Sequence, residues 1–328
     1  MSALRALFIG GNGTISAASS RLAVEQGIDL TLLNRATSSR RPPIEGVSSL
    51  VGDASDPESL RAAVGTREFD VVVNFQSFTS GQAAADVNLF TGRTAQYVYI
   101  SSASAYQKPV GRLPIAESTP LRNPFWQYSR DKIASEDVLV TAYRDRGFPV
   151  TIVRPSHTYD ETSIPLDGGW TIIDRMRRGE PVVVHGDGTS LWTLTHTADF
   201  AQAFVGLLGH PKAVGDTFHI TSDEALPWDE IATTLGRAAG TEPTIVHVAS
   251  DRIARSIPEW GPGLIGDKAH SVVFDNAKVR SLVPAYRATT PFWVGARQII
   301  DWYDADASRR VVDAELNGRL DALIAEAR

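Results

Sequence analysis

The sequence has no cysteine, no long apolar run and no excess of positive charge. The absence of cysteine from 328 residues excludes a thiol nucleophile, a thiolate metal site and a disulfide framework. No apolar stretch approaches the roughly 18 residues that a membrane span needs, and Met1 to Gly10 leads into a strand pattern without a signal-peptide layout. We therefore expect a cytoplasmic protein with no membrane partner.

The charge balance is mildly acidic, with 32 lysine and arginine residues against 38 aspartate and glutamate residues. A net charge of -6 disfavours nucleic acid as a general partner, because polyanions bind through clustered positive charge. The chain has an ordinary globular composition, with 43% hydrophobic residues. At roughly 100–200 residues per domain, the length predicts two domains or one domain with a large insertion.

Apolar runs alternate with helical patterns in the first half of the chain. Strands are predicted at residues 6–9, 30–33, 47–51, 71–73, 97–100 and 150–153, and helices at 17–26, 57–64, after Gly81 and at 127–146. Continuous apolar strands separated by helices are typical of a parallel sheet covered on both faces. The sequence therefore predicts a Rossmann-like, doubly wound α/β fold.

The pattern changes after residue 165, where glycines and tryptophans lie among short segments. We predict a dinucleotide-binding domain at residues 1–165 and a smaller C-terminal substrate-binding lobe at 166–328. A helix at 197–208 and a strand at 217–220 predict a return to the main sheet over about residues 195–222. Val312, Leu316, Leu320 and Leu323 stand at helical intervals and predict a C-terminal helix docked on one face.

The first strand is followed by the glycine-rich segment 10–16, Gly-Gly-Asn-Gly-Thr-Ile-Ser, where a dinucleotide fold has its phosphate-binding turn. Glycines let the backbone approach a pyrophosphate, and the helix N-terminus supplies N–H donors and a positive dipole end. We assign Gly10, Gly13, Thr14 and Ile15 to cofactor binding. A glycine-rich turn without a ligand is the alternative.

The second strand ends in Asn34 and Arg35, where an NAD-binding protein is expected to have an acidic residue. A guanidinium at this point suits the 2′-phosphate of NADP, so the sequence favours NADP over NAD. Arg40 and Arg41 lie close behind, with a solvated loop as an equal alternative. Asp53 is predicted either to accept from the adenine amino group or to cap a turn.

Tyr128 and Lys132 are four residues apart in a predicted helix, which places both on one face. A tyrosine with the ordinary pKa of about 10 is a weak base at neutral pH, and an adjacent ammonium is expected to lower that pKa. Ser102 follows the strand at 97–100, at the edge where open α/β sheets bind ligands. The joint occurrence of these groups behind a glycine-rich turn indicates acid–base catalysis.

Together these residues resemble the extended short-chain dehydrogenase/reductase superfamily, in particular its NAD(P)-dependent sugar epimerases and dehydratases. The resemblance covers about residues 4–225 and includes the glycine turn, Ser102 four positions before Tyr106, Tyr128 with Lys132, and Arg154-Pro155. It implies that Ser102 is the active-site hydroxyl and Tyr128 the acid/base. It implies that Lys132 binds the nicotinamide ribose and lowers the pKa of the tyrosine.

The resemblance also bears on the substrate. Sugar-nucleotide dehydratases of this type have an Asp-Glu pair after the active-site hydroxyl, where this chain has Ala103 and Ser104, so dehydration is disfavoured. Residues near the carboxyl ends of strands are expected to contact the substrate, namely Gln76, Ser77, Phe78, Ser104 and His157. For His157 a hydrogen bond to a loop carbonyl is the alternative. No spacing of histidine and acidic residues indicates a metal.

The leading hypothesis is an NAD(P)-dependent oxidoreductase or epimerase that acts on a secondary alcohol or ketone of a sugar or sugar nucleotide. The alternative is a cofactor-binding regulatory or RNA-associated protein that keeps the fold without turnover. The acidic balance disfavours RNA, and the set of Ser102, Tyr128 and Lys132 disfavours a sensor without chemistry. The resemblance further implies a homodimer that packs through the Tyr128 helix and its neighbour.

Overall fold

The computed structural model describes residues 3–35 and 41–327. Seven parallel strands form the main sheet: β1 (Arg5–Ile9), β2 (Asp29–Asn34), β3 (Ser48–Val51), β4 (Phe69–Asn74), β5 (Thr94–Ile100), β6 (Val150–Pro155) and β11 (Thr217–Ile220). Their order across the sheet is β11-β6-β5-β4-β1-β2-β3. The order reverses between β1 and β4, which is the crevice where open α/β sheets bind ligands.

The strands are apolar because helices cover both faces of the sheet. Those helices are α1 (Thr14–Glu25), α2 (Pro57–Val64), α3 (Ser80–Phe90), α4 (Gln127–Arg146) and α6 (Thr197–Leu207). Along β1, Phe8 packs in the layer of α1 and α6, and Leu7 packs in the layer of α2, α3 and α4. This arrangement confirms the predicted doubly wound α/β fold.

Local signals explain where two of these helices begin and end. At the start of α3, the Thr79 hydroxyl accepts from the N–H of Gln82, whose side chain accepts in return from the N–H of Thr79. At the end of α4, Gly147 adopts the left-handed conformation with a φ of +66°. The helix predicted at 127–146 therefore has the bounds that the sequence indicates.

The second part of the molecule consists of short elements around its own core. They are β7 (His157–Tyr159), α5 (Trp170–Arg177), β8 (Val182–His185), β9 (Leu191–Trp192), β10 (Leu194–His196), β12 (Leu226–Pro227), α7 (Trp228–Ala238), β13 (Ile245–Val248), α8 (Ser250–Ser256), α9 (Gly261–Gly263), α11 (Phe292–Asp304) and α12 (Ala314–Ala327). The helix α10 (Ala277–Leu282) instead packs on α6 and β11 of the main sheet. The small strands pair as β7 with β10, β9 with β12 and β8 with β13. Trp170, Trp192 and Trp228 are buried in this second core.

The chain passes between the two parts more than once. After the small strands, α6 packs on α1 and β11 joins the main sheet beside β6, as the patterns at 197–208 and 217–220 predict. The division at residue 165 stays a prediction. At the C-terminus, Leu316, Leu320 and Leu323 are buried in α12, whereas Val312 lies outside the helix and is 40% exposed. The helix begins later than predicted because the Asp313 carboxylate caps it by accepting from the N–H of Leu316.

No helix in the described part of the chain combines the length and the apolar character needed to cross a bilayer.

Candidate active site

The turn after β1 is shaped as a phosphate cradle. Gly10 has a φ of +81°, and a Cβ atom there would lie 2.5 Å from Cγ of Gln76, so glycine is required. The buried Ser16 hydroxyl accepts from the N–H of Gly13 at 2.7 Å and donates to the carbonyl of Gly10 at 2.6 Å. Ser16 thereby holds the turn closed, and the first N–H groups of α1, from Thr14 onward, have no partner within the helix.

A first cavity of about 480 Å³ opens over this turn. It is lined by five of the predicted cofactor residues, Gly10, Gly13, Asn34, Arg35 and Asp53. Asn12 also lines it, and its Oδ1 atom is buried without a hydrogen-bond partner in the described structure. Since a buried acceptor without a donor costs free energy, this atom indicates a donor from a bound ligand. The cradle and the unpartnered oxygen fit a dinucleotide.

The two described arginines at this end of the cavity differ in their contacts. Arg35 is exposed on the cavity wall. Arg41 also lines the cavity, but it forms an ion pair with Asp160 at 2.6 Å and donates to the hydroxyls of Thr14 and Thr162. The guanidinium of Arg35 is therefore the one available to a phosphate. Arg40 lies outside the described residues.

The side chains of Thr14 and Ile15 do not line the first cavity as it is described. The Thr14 hydroxyl accepts from Arg41, and Ile15 packs against the core beneath α1. A role for these two residues in cofactor binding stays a prediction, and it rests on their backbone N–H groups at the start of the helix.

Asp53 has the turn-capping contacts that were one of its two predicted roles. Its Oδ1 atom accepts from the hydroxyl of Ser55 at 2.6 Å and from the N–H of Ser55 at 2.8 Å. These hydrogen bonds hold the pKa of Asp53 below its ordinary value. Asp53 also lines the first cavity, and the contact with adenine stays a prediction.

A second cavity, of about 490 Å³, is lined by Ser102 and Tyr128. Ser102 follows β5, and Tyr128 lies in the first turn of α4. Lys132 is one turn further along α4 and is buried, and its Nζ atom donates to the carbonyls of Ser77 at 2.7 Å and Ile100 at 2.8 Å. The structure thus brings the three predicted catalytic residues to one place at the carboxyl edge of the sheet.

Lys132 lies between the two cavities. Its Nζ atom is 4.7 Å from the ring centre of Phe78, which lines the first cavity, and 5.7 Å from that of Tyr128, which lines the second. Burial lowers the pKa of Lys132 to about 7, while the nearby carboxylate of Glu136 acts in the opposite direction. In the protonated form two of the three N–H donors are used by carbonyls, so one is left for a ligand.

The pKa of Tyr128 is raised above its ordinary value, and the lowering expected from Lys132 stays a prediction. Burial is the main cause, because it disfavours the charged phenolate, and a hydrogen bond with Ser102 acts in the opposite direction. Lys132 does not reverse the effect, since its Nζ atom lies 5.7 Å from the ring centre of Tyr128 and its own pKa is about 7. The phenol of Tyr128 is therefore protonated at neutral pH.

Three serine hydroxyls form a chain beside the phenol. Ser129 donates to the Oγ atom of Ser104 at 2.8 Å, and that atom lies 2.9 Å from the Oγ atom of Ser102. Since Ser104 receives a hydrogen from Ser129, it can give its own to Ser102. The hydrogen of Ser102 is then left for Tyr128 or for a ligand.

The predicted substrate residues are divided between the two cavities. Ser104 and His157 line the second cavity, whereas Gln76 and Phe78 line the first. Gln76 and Phe78 lie there because β4 is beside β1, so the loop after β4 faces the glycine turn, and their contact with a substrate stays a prediction. Ser77 lines neither cavity as described, and its carbonyl holds Lys132.

His157 is held by a tryptophan and not by a loop carbonyl. The indole N–H of Trp192 donates to Nδ1 of His157 at 3.0 Å. Because an indole can only donate, Nδ1 has no proton and the neutral ring has its proton on Nε2. Burial lowers the pKa of His157 to about 4, so the ring is neutral at pH 7 and offers one N–H.

Sequence reasoning missed much of the second cavity's wall. The charged and indole side chains among the missed residues are Trp126, Asp167, Glu259, Trp260, Asp267 and Lys268. Asp267 and Lys268 end a π-helical turn at Leu264–Lys268, far along the chain from the catalytic residues. No local motif marks them, because only the folding of the second part brings them over Tyr128.

A buried ion pair supports the site from below. Arg154 of β6 contacts Glu136 of α4 at 2.5 Å, and both side chains are at most 6% exposed. The hydroxyl of Ser101 donates to the same carboxylate at 2.5 Å. This group of three links the ends of β5 and β6 to the helix that holds Tyr128 and Lys132.

The sequence matches the profile of the NAD dependent epimerase/dehydratase family over residues 6–221. The chain belongs to this family. Among its relatives are the 2'-dehydrokanamycin reductase of Streptomyces kanamyceticus and the chloroplast stem-loop binding protein of 41 kDa b of Arabidopsis thaliana. The former is 26% identical over 289 residues, which cover 87% of this chain and 80% of the relative. The latter is 28% identical over 257 residues, which cover 74% and 65%.

Solved structures of the epimerase family share this fold. An epimerase of Methanothermobacter thermautotrophicus superimposes with a TM-score of 0.77 at 16% identity, over 94% of each chain. A UDP-glucose 4-epimerase of Thermus thermophilus, solved with NAD, gives 0.71 at 20% identity, over 92% of this chain and 99% of that one. As a member of the epimerase/dehydratase family, the protein is an NAD(P)-binding enzyme of the epimerase, dehydratase and reductase group.

Proposed function

We propose that this protein is an NADP-dependent enzyme that reduces a ketone to a secondary alcohol in a carbohydrate substrate. The position of Lys132 carries the proposal, because it lies between the cavity of the glycine turn and the cavity lined by Ser102 and Tyr128. A ligand in the second cavity can therefore reach the hydroxyls of Ser102 and Tyr128 next to the end of the first cavity. Epimerisation at the same carbon uses the same groups and is the alternative.

Each of the three residues has a separate task in such a reaction. A bound nicotinamide supplies the hydride. Tyr128 donates its phenolic proton to the ketone oxygen, and the Ser102 hydroxyl stabilises the charge that develops on that oxygen. Lys132 holds the ends of β5 and of the loop after β4 in place through two carbonyls, and its remaining N–H is available to a ribose hydroxyl.

The environment of Tyr128 suits the proton-donating step of a reduction. Reduction needs a proton donor, and burial keeps the phenol of Tyr128 protonated by raising its pKa. Oxidation needs the phenolate, which the same burial disfavours. The name of one relative, a 2'-dehydrokanamycin reductase, agrees with this direction.

The preference for NADP rests on Arg35. It is exposed on the wall of the first cavity, and the end of β2 has no carboxylate that would repel a 2′-phosphate. Replacing Arg35 with alanine therefore tests the preference: the affinity for NADP should fall and that for NAD should not.

Dehydration is outside the proposal. Ala103 and Ser104 line the second cavity directly after Ser102 and have no carboxyl group to protonate a leaving hydroxyl. We also propose a homodimer through α3 and α4, which pack side by side on one face of the sheet. Light scattering of the purified protein tests the dimer.

The central experiment is Tyr128→Phe, assayed by NADPH consumption with a panel of keto-sugars. Turnover should fall by at least about 100-fold, the usual contribution of an acid catalyst, while NADP affinity changes little. Tyr143→Phe is the matched control, since Tyr143 lies on the same helix and lines neither cavity as described. Unchanged turnover in Tyr128→Phe would overturn the assignment.

The same assay separates the alternatives. A reductase consumes one NADPH for each product molecule, whereas an epimerase returns the hydride and shows no net consumption. A wild-type protein that binds NADP and turns over no member of the panel would support the non-catalytic alternative.

A further inference from the structure

The second cavity offers no uncompensated positive charge to a substrate. Among the described residues, Lys268 is the one lysine or arginine on its wall. Each of the three carboxylates there has a cationic partner: Asp167 pairs with Lys268, Glu259 with Arg319 and Asp267 with Lys108. The Nζ atom of Lys268 lies 2.5 Å from Oδ1 of Asp167, so its charge is already paired. His157 is neutral because Trp192 occupies its Nδ1 atom.

A nucleoside diphosphate is badly matched to such a wall. The diphosphate has two negative charges, and proteins recognise such groups with arginine or lysine in charge-assisted hydrogen bonds. Placing it there would leave its charges without a cationic partner, so the cost of removing it from water would not be offset. The first cavity differs in this respect, because Arg35 is exposed there.

The carboxylates are able to accept further hydrogen bonds. Asp267 contacts the buried Lys108 at 2.9 Å through Oδ1, and Asp167 contacts Lys268 through Oδ1 as well. Both contacts are made through Oδ1, and the side chains of Asp267 and Asp167 are 17% and 31% exposed. Each aspartate therefore has an oxygen left for a donor in the cavity, and an ammonium is the donor that suits a carboxylate best.

Aromatic side chains on the same wall suit the same ligand. Trp126 and Trp260 line the cavity, and the ring of Trp126 is 4.9 Å from that of Tyr128. Indole faces attract cations and present flat apolar surfaces. The cavity volume of about 490 Å³ falls within the range for ligands larger than one sugar ring.

We propose that the second cavity binds a carbohydrate with protonated amino groups and no nucleoside diphosphate. This inference rests on the proposed function, because it names the class of substrate for the same site. Asp167 and Asp267 accept from the ammonium groups, His157 donates from Nε2 to a hydroxyl, and the ketone lies against Ser102 and Tyr128.

The test is calorimetric binding to the NADP-loaded full chain, with kanamycin, its fully N-acetylated form and UDP-glucose as the three ligands. We expect kanamycin to bind about ten-fold or more tightly than the N-acetylated form, because acetylation removes the charges and leaves the skeleton. UDP-glucose should bind more weakly than kanamycin. Equal affinity for both forms of kanamycin, tighter binding of UDP-glucose, or no binding of kanamycin would each overturn the proposal.

Two variants test the sign of the charge effect. Lys268→Met releases Asp167 from its ion pair, so kanamycin should bind several-fold more tightly, whereas a site for diphosphate would lose affinity for UDP-glucose. Asp167→Asn should weaken kanamycin binding. Effects of the opposite sign in the two variants would also reject the proposal.

These measurements involve no turnover, so a failure of this inference can be distinguished from a failure of the proposed function. If Tyr128→Phe retains full turnover, the assignment of the catalytic residue fails while the preference for amines still stands. If UDP-glucose is the tighter ligand, the substrate class fails while the reduction chemistry is untouched.

Discussion

Replacing Lys132 with methionine should change how the stability of the protein depends on pH. Methionine has a similar length and suits a site surrounded by the rings of Phe78, Tyr99 and Tyr128. It removes an ammonium that burial disfavours, and it also removes the donors to two carbonyls. The loss of the donors costs about 1–3 kcal/mol for each carbonyl and does not depend on pH.

The pH-dependent part follows from the pKa of Lys132, which is 10.5 in its ordinary state and about 7 in the folded protein. Between these values the unfolded chain holds the proton and the folded chain does not, so the wild-type free energy of unfolding rises with pH across that window. By linkage, the shifted pKa of Lys132 lowers the free energy of unfolding by ~4 kcal/mol at pH 7 and by ~2 kcal/mol at pH 9. The variant lacks this cost at every pH.

The free energies of unfolding should therefore be compared at pH 7 and pH 9 by urea denaturation, with tryptophan fluorescence as the signal. The wild type should gain ~2 kcal/mol relative to Lys132→Met between the two pH values, while all other titrating groups cancel in the difference. Lys212→Met is the matched control, since Lys212 is exposed in the folded chain. A difference between wild type and Lys132→Met that stays constant with pH would refute the reasoning.

Three further substitutions test other parts of the structure. Gly10→Ala puts a Cβ atom 2.5 Å from Gln76 at a φ of +81°. The affinity for NADP, measured by fluorescence titration, should therefore fall about ten-fold or more. Unchanged affinity would mean that the turn does not hold the cofactor. Glu136→Gln leaves the buried Arg154 without its ion pair, so the free energy of unfolding in urea should fall by about 3–5 kcal/mol. The control is the exposed Glu242→Gln, which should lower it by less than about 1 kcal/mol. Equal effects would contradict the burial argument. Leu320→Ala empties a fully buried position of α12 and should cost about 2–5 kcal/mol by the same assay, and a smaller loss would show that the helix docks loosely.

The main sheet could be predicted because its signals are local. The run 71–73 is three consecutive valines, and only a strand buried on both faces, such as β4, accommodates that pattern. The helix α4 could be predicted to the residue because Gly147 ends it in a left-handed turn. The glycine turn and the pair of Tyr128 and Lys132 are likewise readable within a few residues of sequence.

The second part could not be predicted in the same way. Its strands β9 and β12 have two residues each and pair with distant partners, so no periodicity marks them. The signals of α7 and α11 are visible in hindsight, with Asp229 and Glu230 in the first turn of α7. The environment of Lys132 is also non-local, since its carbonyl partners belong to Ser77 and Ile100. A one-dimensional pattern shows that a lysine is present but not that burial shifts its titration.

The edge strand β11 has a consequence for the biogenesis of this enzyme. During translation β1 to β6 leave the ribosome first, and the strand that completes the sheet beside β6 follows only after residues 156–216 have emerged. Until then the nascent sheet has an open border at β6, a ready template for pairing with another chain. Release of the segment that contains β11 covers β6 and leaves the four-residue strand β11 as the edge, so the main sheet is complete only once part of the second half of the chain has been made.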